Sequence, residues 1–324
     1  MTTPLLTIDS WVADQASRRQ PWQAPYRAMY ASVWGGIVTD PGLMLVPIDD
    51  HMVHRGDAVF DTCKCVGGAL YNLGAHLDRL EQSAAAVHME MPCERDALVG
   101  LIRDTVRAGG KPEASVRVLV SRGPGSFGCS PYDCPAPALY IMITDLPPSF
   151  METHPQGATT AVSAIPAKPP FFAGVKNCNY LPNVLMKKEA KDRGVDFVIS
   201  LDDRGFLAEG PTENVGIVEA DGTLAFPTLD NILPGTTMLR VVALARELTG
   251  GEGPSSVVFR DITVSQAGAA AEMLIVGTTP NVTAVRQFND RTFEHALKGP
   301  VFRCLTQALE TDILTNDALR TAIG

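Results

Sequence analysis

The alternation of short apolar runs with amphipathic stretches, which begins near Val33, is the feature that most constrains the fold of this chain. Apolar residues recur at helical spacing in some segments, while others are short runs rich in β-branched side chains. In chain order these segments are helices around residues 77–84 and 98–105 and strands around residues 116–120 and 139–143. No internal repeat accompanies the pattern. The sequence therefore predicts a mixed α/β (α+β) protein.

A stretch rich in proline, glycine and polar residues, 145–157, follows one predicted strand and has the composition of a linker between two lobes. We place the linker at residues 149–158, between a small α/β domain of residues 29–148 and a larger domain of residues 159–324. Residues 1–28 show little periodicity and are predicted to form an N-terminal arm. A cleft between two lobes is the natural place for a ligand.

The larger domain repeats the mixed pattern of strands and helices. Its predicted strands are 160–165, 196–201, 215–219, 223–226 and 273–277, and its predicted helices are 181–193, 236–248 and 295–314.

Charge and composition narrow the class of partner. The net charge is -9, and the basic residues are scattered, so no electrostatic footprint for nucleic acid or an anionic membrane is present. No apolar run approaches the roughly 20 residues that span a bilayer, and the first 20 residues lack the apolar stretch of a signal peptide. Seven cysteines are an odd number and do not suggest a disulfide framework. We expect a cytoplasmic protein that acts on small molecules.

A glycine-rich loop with Gly123, Gly125 and Gly128 matches the dinucleotide-binding pattern, so a nucleotide-binding dehydrogenase is one alternative. That fold needs a helix to begin at the glycines, because the helix N-terminus holds the pyrophosphate. The prolines at 131 and 135 are incompatible with such a helix. The sequence therefore argues against the dehydrogenase.

Two groups of metal-ligand residue types are incomplete. Asp49, Asp50, His51 and His54 form one group, and the pair at 129 and 134 is half of a zinc site. A zinc site needs about four ligands at recognisable spacing. We expect no metal.

Lys176 stands between an apolar, proline-rich approach and a predicted helix start, an unusual setting for a lysine. A lysine that is partly desolvated in a cleft has a lowered pKa, and its free amine can form a Schiff base with a carbonyl. Pyridoxal phosphate needs such a lysine, an acid for its pyridine nitrogen and an anion site for its phosphate. Thr236 and Thr237 open a helix after a glycine and can hold phosphate oxygens, and Thr278, at the end of a strand, can offer a second contact.

Six motifs occur in one order along residues 50–280. They are Gly-Asp-Ala-Val-Phe-Asp (56–61), His-Leu-Asp-Arg (76–79), Lys-Asn-Cys-Asn-Tyr-Leu-Pro-Asn (176–183), Glu-Gly-Pro-Thr-Glu-Asn (209–214), Ile-Leu-Pro-Gly-Thr-Thr (232–237) and Gly-Thr (277–278). This set resembles the fold-type IV pyridoxal-phosphate enzymes, the class IV aminotransferases. Together with Ile-Asp-Asp-His-Met-Val-His-Arg (48–55), it is most similar to the plant-type D-amino-acid aminotransferases.

The resemblance implies a two-lobed enzyme with pyridoxal 5′-phosphate in the cleft. Lys176 would bind the cofactor covalently and shuttle the proton. The other implied cofactor contacts are Glu209 at the pyridine nitrogen, Tyr180 at the ring hydroxyl, Leu233 against the ring, Asn214, and Arg79, Thr236, Thr237 and Thr278 at the phosphate. Taken alone, Arg79 could instead be a helix-surface ion pair with Asp78 or Glu81. The resemblance also implies a homodimer.

The smaller domain would supply the substrate side, where a carboxylate needs a cation. The candidates are Arg55, Phe60, Lys64, Arg117 and Thr279. Branched-chain enzymes of this fold commonly carry tyrosines at the positions of Arg55 and Ser115, from which this chain departs.

We therefore predict an aminotransferase that moves an amino group between an amino donor, a D-amino acid such as D-alanine, and a 2-oxo acid acceptor, by a ping-pong mechanism. A branched-chain L-amino-acid transaminase, an (R)-amine transaminase and an aminodeoxychorismate lyase are alternatives with the same cofactor. A catalytically silent small-molecule binder is an alternative without chemistry.

Overall fold

The computed structural model describes residues 3–14 and 19–324 and contains two β-sheets, each packed against helices. The helices are α1 (Ile8–Asp14), α2 (His51–Arg55), α3 (Leu73–Ala86), α4 (Arg95–Gly109), α5 (Phe150–Thr153), α6 (Pro170–Ala173), α7 (Leu181–Asp192), α8 (Thr236–Glu247), α9 (Val264–Ala269) and α10 (Pro300–Thr315). This confirms the predicted mixed α/β fold with two lobes.

The first sheet is antiparallel throughout, with the strand order β15-β4-β3-β5-β6-β1-β2. Its strands are β1 (Tyr26–Ala31), β2 (Gly36–Val38), β3 (Ala58–Val66), β4 (Ala69–Tyr71), β5 (Ala114–Ser121), β6 (Ala138–Asp145) and β15 (Arg320–Ala322). Helices α3 and α4 pack on one face and bury an apolar core that includes Leu77, Leu80 and Ile102. Alternation along β5 places Val116, Val118 and other apolar residues in this core, as the period of two requires.

The second sheet has the order β11-β10-β9-β12-β13-β7-β8, and β14 pairs with β13. Its strands are β7 (Ala158–Val162), β8 (Phe197–Ile199), β9 (Asn214–Val218), β10 (Thr223–Phe226), β11 (Ser256–Phe259), β12 (Glu272–Gly277), β13 (Asn281–Phe288) and β14 (Arg291–Thr292). The sheet is mixed, because β7 runs parallel to both β8 and β13 and β10 runs parallel to β11. Its central strands β9 and β12 are buried along their whole length, and α8 and α10 pack against the sheet.

Most predicted elements of the second lobe match observed ones within a few residues, including α7, α8 and β10. Strand β13 was missed, although it lies between β12 and β7 and its Val282, Ala284 and Val285 are buried. The predicted 295–314 helix is a 3-10 turn at Ala296–Lys298 followed by α10.

The division of the chain at residues 149–158 stays a prediction. Within this stretch α5 forms, with Ser149 and Glu152 as a capping box, and Phe150 packs against Phe197 of the second sheet. By sheet membership alone, β15 belongs with the first lobe although it ends the chain, since Arg320 pairs with Tyr71.

Part of the predicted arm, residues 1–2 and 15–18, lies outside the described residues. Helix α1 has no buried residue, whereas β1 already begins at Tyr26 inside the first sheet. Among residues 3–14 and 19–324, no helix is both long and apolar enough to cross a membrane.

Candidate active site

A cavity of about 610 Å³ lies between the two lobes and is large enough for a small cofactor together with a substrate. Both lobes contribute to its wall. The predicted site residues that line it are Phe60, Arg79, Arg117, Lys176, Tyr180, Glu209, Asn214, Leu233, Thr236, Thr237, Thr278 and Thr279. The fold therefore brings together twelve of the predicted residues from distant parts of the sequence.

Lys176 lies in the loop between α6 and α7, and this loop is bonded to the first sheet. The amide of Phe60 donates to the Lys176 carbonyl at 2.9 Å, and the amide of Cys178 donates to the Ala58 carbonyl at 2.8 Å. The Lys176 amide donates to Ser83 Oγ of α3 at 3.1 Å. Hydrogen bonds on both sides of Lys176 thus fix its backbone to the first lobe. Its side chain lines the cavity.

The Lys176 side chain lies beside two aromatic rings. Its Nζ lies 4.8 Å from the centroid of the Phe60 ring and 3.5 Å from Tyr180 Oη. Burial, and next the positive charge of Arg79, lower the pKa of Lys176 to about 8. A larger fraction of this amine than of an ordinary lysine is therefore unprotonated near neutral pH.

Glu209 is held in the same cavity, directly before β9. Its Oε2 accepts a hydrogen bond from the Leu233 amide at 3.0 Å, and its backbone bonds to Ser200 and forms a bridge with Asn214. Burial raises the pKa of Glu209 to about 7, even though the Leu233 amide favours the charged form. Such a carboxyl can share a proton with a basic ring nitrogen.

The N-terminus of α8 forms the anion-binding end of the cavity. Gly235 is the N-cap residue and has no side chain to cap the first amides, so these can bind an anion. Thr237 Oγ1 and Thr278 Oγ1 are 3.3 Å apart, which brings the start of α8 next to the end of β12. A Cβ at position 235 would lie 1.9 Å from Asn214 Oδ1, so only glycine fits there. Asn214 in turn donates to the Leu233 carbonyl at 3.0 Å.

Arg79 is buried and not a helix-surface ion pair. Its guanidinium binds Asp61 of β3 through two hydrogen bonds of 2.8 and 2.9 Å and donates to the Pro234 carbonyl at 3.2 Å. The alternative interpretation is wrong because Arg95 pairs with both Asp78 and Glu81 instead. Arg79 therefore holds a positive charge beside the start of α8.

His76 extends this network. Its Nδ1 lies 2.7 Å from Asp61 Oδ1, and its Nε2 lies 3.3 Å from Thr236 Oγ1. Burial alone would raise the pKa of Asp61, but His76 and Arg79 hold it well below its usual range. Asp61 is thus a carboxylate that connects α3 to the phosphate end of the cavity.

Two predicted substrate residues lie outside the cavity wall. Arg55 is exposed at the end of α2 and donates to the backbone carbonyls of Phe127 and Gly128 in the glycine-rich loop. Lys64 is buried further along β3, where it donates to Asn281 Oδ1, and burial lowers its pKa to about 8. The alternation of β3 places Phe60 and Lys64 on one face, but only Phe60 reaches the cavity.

Sequence reasoning missed Asp61, His76, Lys168 and Asn183. Lys168 lines the cavity with its Nζ 4.8 Å from the centroid of the Tyr180 ring, and burial lowers its pKa. The available signal for Asp61 was a carboxylate inside the apolar run 58–63, and for His76 its position one helical turn before Arg79. Lys168 had the same apolar, proline-rich neighbours that singled out Lys176.

The cavity residues fit pyridoxal 5′-phosphate by the chemistry of their donors and acceptors. A lysine with a lowered pKa, a carboxyl with a raised pKa and a helix N-terminus with free amides all face one space. These match the amine, the acid and the anion site that the cofactor requires.

The glycine-rich loop at 123–128 is followed by a 3-10 turn, Pro131–Asp133, and no α-helix begins there, which agrees with the argument against a dinucleotide site. Within residues 3–14 and 19–324, no three potential ligands are grouped to hold a metal ion.

Known proteins with similar sequences or folds are aminotransferases. A family model described as amino-transferase class IV matches residues 58–288, more than half of the chain. The chain is 39% identical over 289 residues to an Arabidopsis thaliana protein named D-amino-acid transaminase, chloroplastic, which covers 89% of this chain and 77% of that protein. It is 30% identical over 270 residues to a putative branched-chain-amino-acid aminotransferase of Methanocaldococcus jannaschii, covering 83% of this chain and 91% of that protein.

The fold is also similar to a solved structure, the branched-chain amino acid aminotransferase from Escherichia coli. The TM-score is 0.82 at 24% identity, and the match covers 92% of this chain and 99% of that chain.

Proposed function

The chain belongs to the class IV aminotransferases, and we propose that it transfers the amino group of a D-amino acid such as D-alanine to a 2-oxo acid, using pyridoxal 5′-phosphate bound at Lys176. The observation that carries this proposal is the convergence of Lys176, Tyr180, Glu209 and the start of α8 on one cavity. The relative named as a D-amino-acid transaminase supports the choice of donor.

When bound, the cofactor supplies an aldehyde that reacts with amines and a ring that withdraws electrons from the reacting carbon. Arg79, Thr236, Thr237 and Thr278 would hold its phosphate at the N-terminus of α8. The amides of that first helical turn and the Arg79 guanidinium provide the positive charge that the phosphate needs.

Glu209 would hold a proton shared with the pyridine nitrogen of the bound cofactor. The hydrogen bond that Glu209 Oε2 accepts from the Leu233 amide fixes the orientation of this carboxyl group. Tyr180 Oη, 3.5 Å from Lys176 Nζ, would donate a hydrogen bond to the ring oxygen of the cofactor, because burial raises the pKa of Tyr180 and keeps it protonated.

Lys176 Nζ moves the proton at the reacting carbon. With a pKa near 8, its unprotonated fraction at neutral pH exceeds that of an ordinary lysine by roughly two orders of magnitude, so it can accept a proton and return it. The rings of Phe60 and Tyr180 flank the amine, with their centroids 4.8 and 5.9 Å from Lys176 Nζ.

Arg117 and Thr279 line the cavity on the substrate side. Arg117 lines the cavity with its Cζ 5.7 Å from the centroid of the Phe60 ring, and its guanidinium would bind a substrate carboxylate. Arg55 and Lys64 bind protein groups elsewhere and are not part of this proposal.

A branched-chain L-amino acid is the second candidate donor, supported by the Methanocaldococcus jannaschii relative. A panel of D-alanine, D-glutamate, L-leucine, (R)-phenylethylamine and aminodeoxychorismate, followed as oxo product, separates the candidates. Formation of pyruvate from D-alanine is expected. Turnover of L-leucine without turnover of D-alanine would replace the proposed donor.

The cofactor assignment has its own test. Purified protein loaded with pyridoxal 5′-phosphate is reduced with borohydride, digested and mapped by mass spectrometry. The reduced adduct is expected on Lys176. An adduct on Lys168 or on neither lysine would contradict the proposal.

We also propose a homodimer, which rests on family membership and on exposed apolar residues. Leu181, Val184 and Leu185 lie at i, i+3 and i+4 on α7 and are exposed. Light scattering of the loaded enzyme measures its mass directly.

A further inference from the structure

The hydrogen bonds around His76 fix which of its ring nitrogens carries a proton. The Arg79 guanidinium donates to both oxygens of Asp61, which is therefore an ionised carboxylate that only accepts hydrogen bonds, so His76 Nδ1, at 2.7 Å, must carry hydrogen. Burial lowers the pKa of His76, which leaves the ring neutral and its Nε2 without hydrogen. His76 Nε2 is thus an acceptor.

This assignment determines the direction of the next hydrogen bond. Thr236 Oγ1 lies 3.3 Å from His76 Nε2, and an acceptor nitrogen requires that the threonine hydroxyl donate. A hydroxyl has a single hydrogen, so Thr236 has none left for an anion at the start of α8. Thr237 differs, because its hydroxyl contacts only another hydroxyl, that of Thr278.

A phosphate at this helix start meets a contradiction. The oxygens of a phosphate monoester, such as that of the cofactor, carry no hydrogen at pH 8 and are acceptors only, and Thr236 would present lone pairs to them. If the hydroxyl turned toward the phosphate, His76 Nε2 would be left buried without a partner, which is costly. The conflict ends when His76 gains a second proton, since Nε2 then donates to Thr236 Oγ1 and the hydroxyl hydrogen is free.

We propose that binding of a phosphate group at the start of α8 is coupled to uptake of one proton by His76, and that this proton releases the Thr236 hydroxyl to hold the phosphate. The proton comes from solvent and stays on Nε2, Asp61 remains a carboxylate, and no bond between heavy atoms changes. His76 is a positioning residue in this scheme. The inference rests on the proposed function, because the phosphate is that of the cofactor.

The charges around His76 are consistent with an imidazole ring that gains its second proton only when an anion binds at the start of α8. Asp61 of β3 favours the charged ring, whereas Arg79 of α3 and Lys176 of the loop before α7 oppose it. Thr236 of α8 is neutral. The added negative charge of a phosphate offsets the two cations and shifts the balance toward the imidazolium.

Nuclear magnetic resonance of the ring nitrogens tests the coupling on the protein itself. Enzyme freed of cofactor, at pH 8, is studied with and without saturating methyl phosphate, a monoester that carries no hydrogen at this pH, and each of the six histidines gives its own long-range proton–nitrogen pattern. The His76 signal is identified with His76→Asn or, if that variant does not fold, with Thr236→Val. The ring is expected to be neutral with hydrogen on Nδ1 before phosphate and protonated on both nitrogens after it. A ring in the same state before and after, or the absence of saturable phosphate binding, would overturn the proposal.

The pH dependence of methyl phosphate affinity is the second measurement. Lys176 also titrates in this range, so the quantity compared is the difference in slope between wild type and His76→Asn. From pH 7 to 9 the affinity of the wild type should fall more steeply, by up to tenfold per pH unit, and Thr236→Ser should behave as wild type. Equal slopes would refute the coupling. Neither result bears on the borohydride adduct at Lys176, which tests the proposed function separately.

Discussion

The two ends of the active-site cavity are built on opposite principles. At the end next to the start of α8, Asp61, His76, Arg79 and Thr236 are joined by four side-chain contacts between β3, α3 and α8, three of them of 2.9 Å or less. At the reacting end, Lys176 and Glu209 have one side-chain hydrogen bond each. The first end holds charged groups in fixed positions. At the second end the pKa values of Lys176 and Glu209 lie near neutral pH, so these groups can take up and release protons.

The comparison predicts the largest loss for removal of the reacting amine. Lys176→Ala should lower turnover by roughly a thousandfold or more, since covalent attachment and proton transfer are lost together. Steady-state rates with D-alanine measure this loss, and Lys188→Ala on the exposed face of α7 is the matched control. Turnover within tenfold of the wild type would contradict the role of Lys176.

Glu209→Gln should lower turnover by roughly a hundredfold, because an amide cannot keep the ring nitrogen protonated and the ring then withdraws electrons less well. The Leu233 amide can still bond to the new side chain, so the fold is preserved. Single-turnover rates measure the effect, with Glu219→Gln outside the cavity as control. An unchanged rate would show that this carboxyl does not act on the ring.

Asp61→Asn probes the ordered end. It should weaken cofactor binding by roughly tenfold, because Arg79 loses its charged partner and is free to move from the start of α8. Fluorescence titration with pyridoxal 5′-phosphate measures the affinity, and Asp78→Asn on the exposed side of α3 is the control. If turnover of the saturated enzyme fell while affinity stayed constant, the assignment of the two ends would be reversed.

The smallest effect is expected for Lys168→Met, which should change the pH dependence of the reaction between Lys176 and the cofactor aldehyde. Only the unprotonated Lys176 amine reacts with the cofactor aldehyde, so the labelling rate should rise with pH to a midpoint of about 8 and then level off. Lys168 is one of the cations that lower the pKa of Lys176, so its removal should move the midpoint upward and slow labelling at pH 7 about threefold. Lys191→Met is the control. A midpoint that moves downward would contradict this.

The sequence could predict the residues that stand in local motifs better than the network that joins them, for a physical reason. Lys176, Glu209 and the threonines at 236 and 237 stand in local motifs whose chemistry can be judged from neighbouring residues. Asp61 acquires its role only when β3 packs against α3 and its carboxylate meets residues 15 and 18 positions away. Likewise β13 is a strand because β12 and β7 flank it, which its own composition does not reveal.

Arg55 and Lys64 illustrate a different obstacle. Both are cations near predicted motifs, and composition gives each the chemistry for a carboxylate. Their neighbours decide otherwise, since the carbonyls of the glycine-rich loop occupy Arg55 and Asn281 occupies Lys64. A side chain whose hydrogen-bonding groups are already bound to other groups of the same chain cannot be identified without the fold.

The attachment of the Lys176 loop to β3 has a consequence for how ligands enter and leave. Three hydrogen bonds cross the cleft here, donated by the amides of Phe60, Cys178 and Lys176. All three would have to break if the two lobes moved apart. These bonds hold the two lobes together at the Lys176 loop. We therefore expect ligands to enter and leave without separation of the lobes, and amide hydrogen exchange at 58–60 and 176–178 should stay slow during turnover.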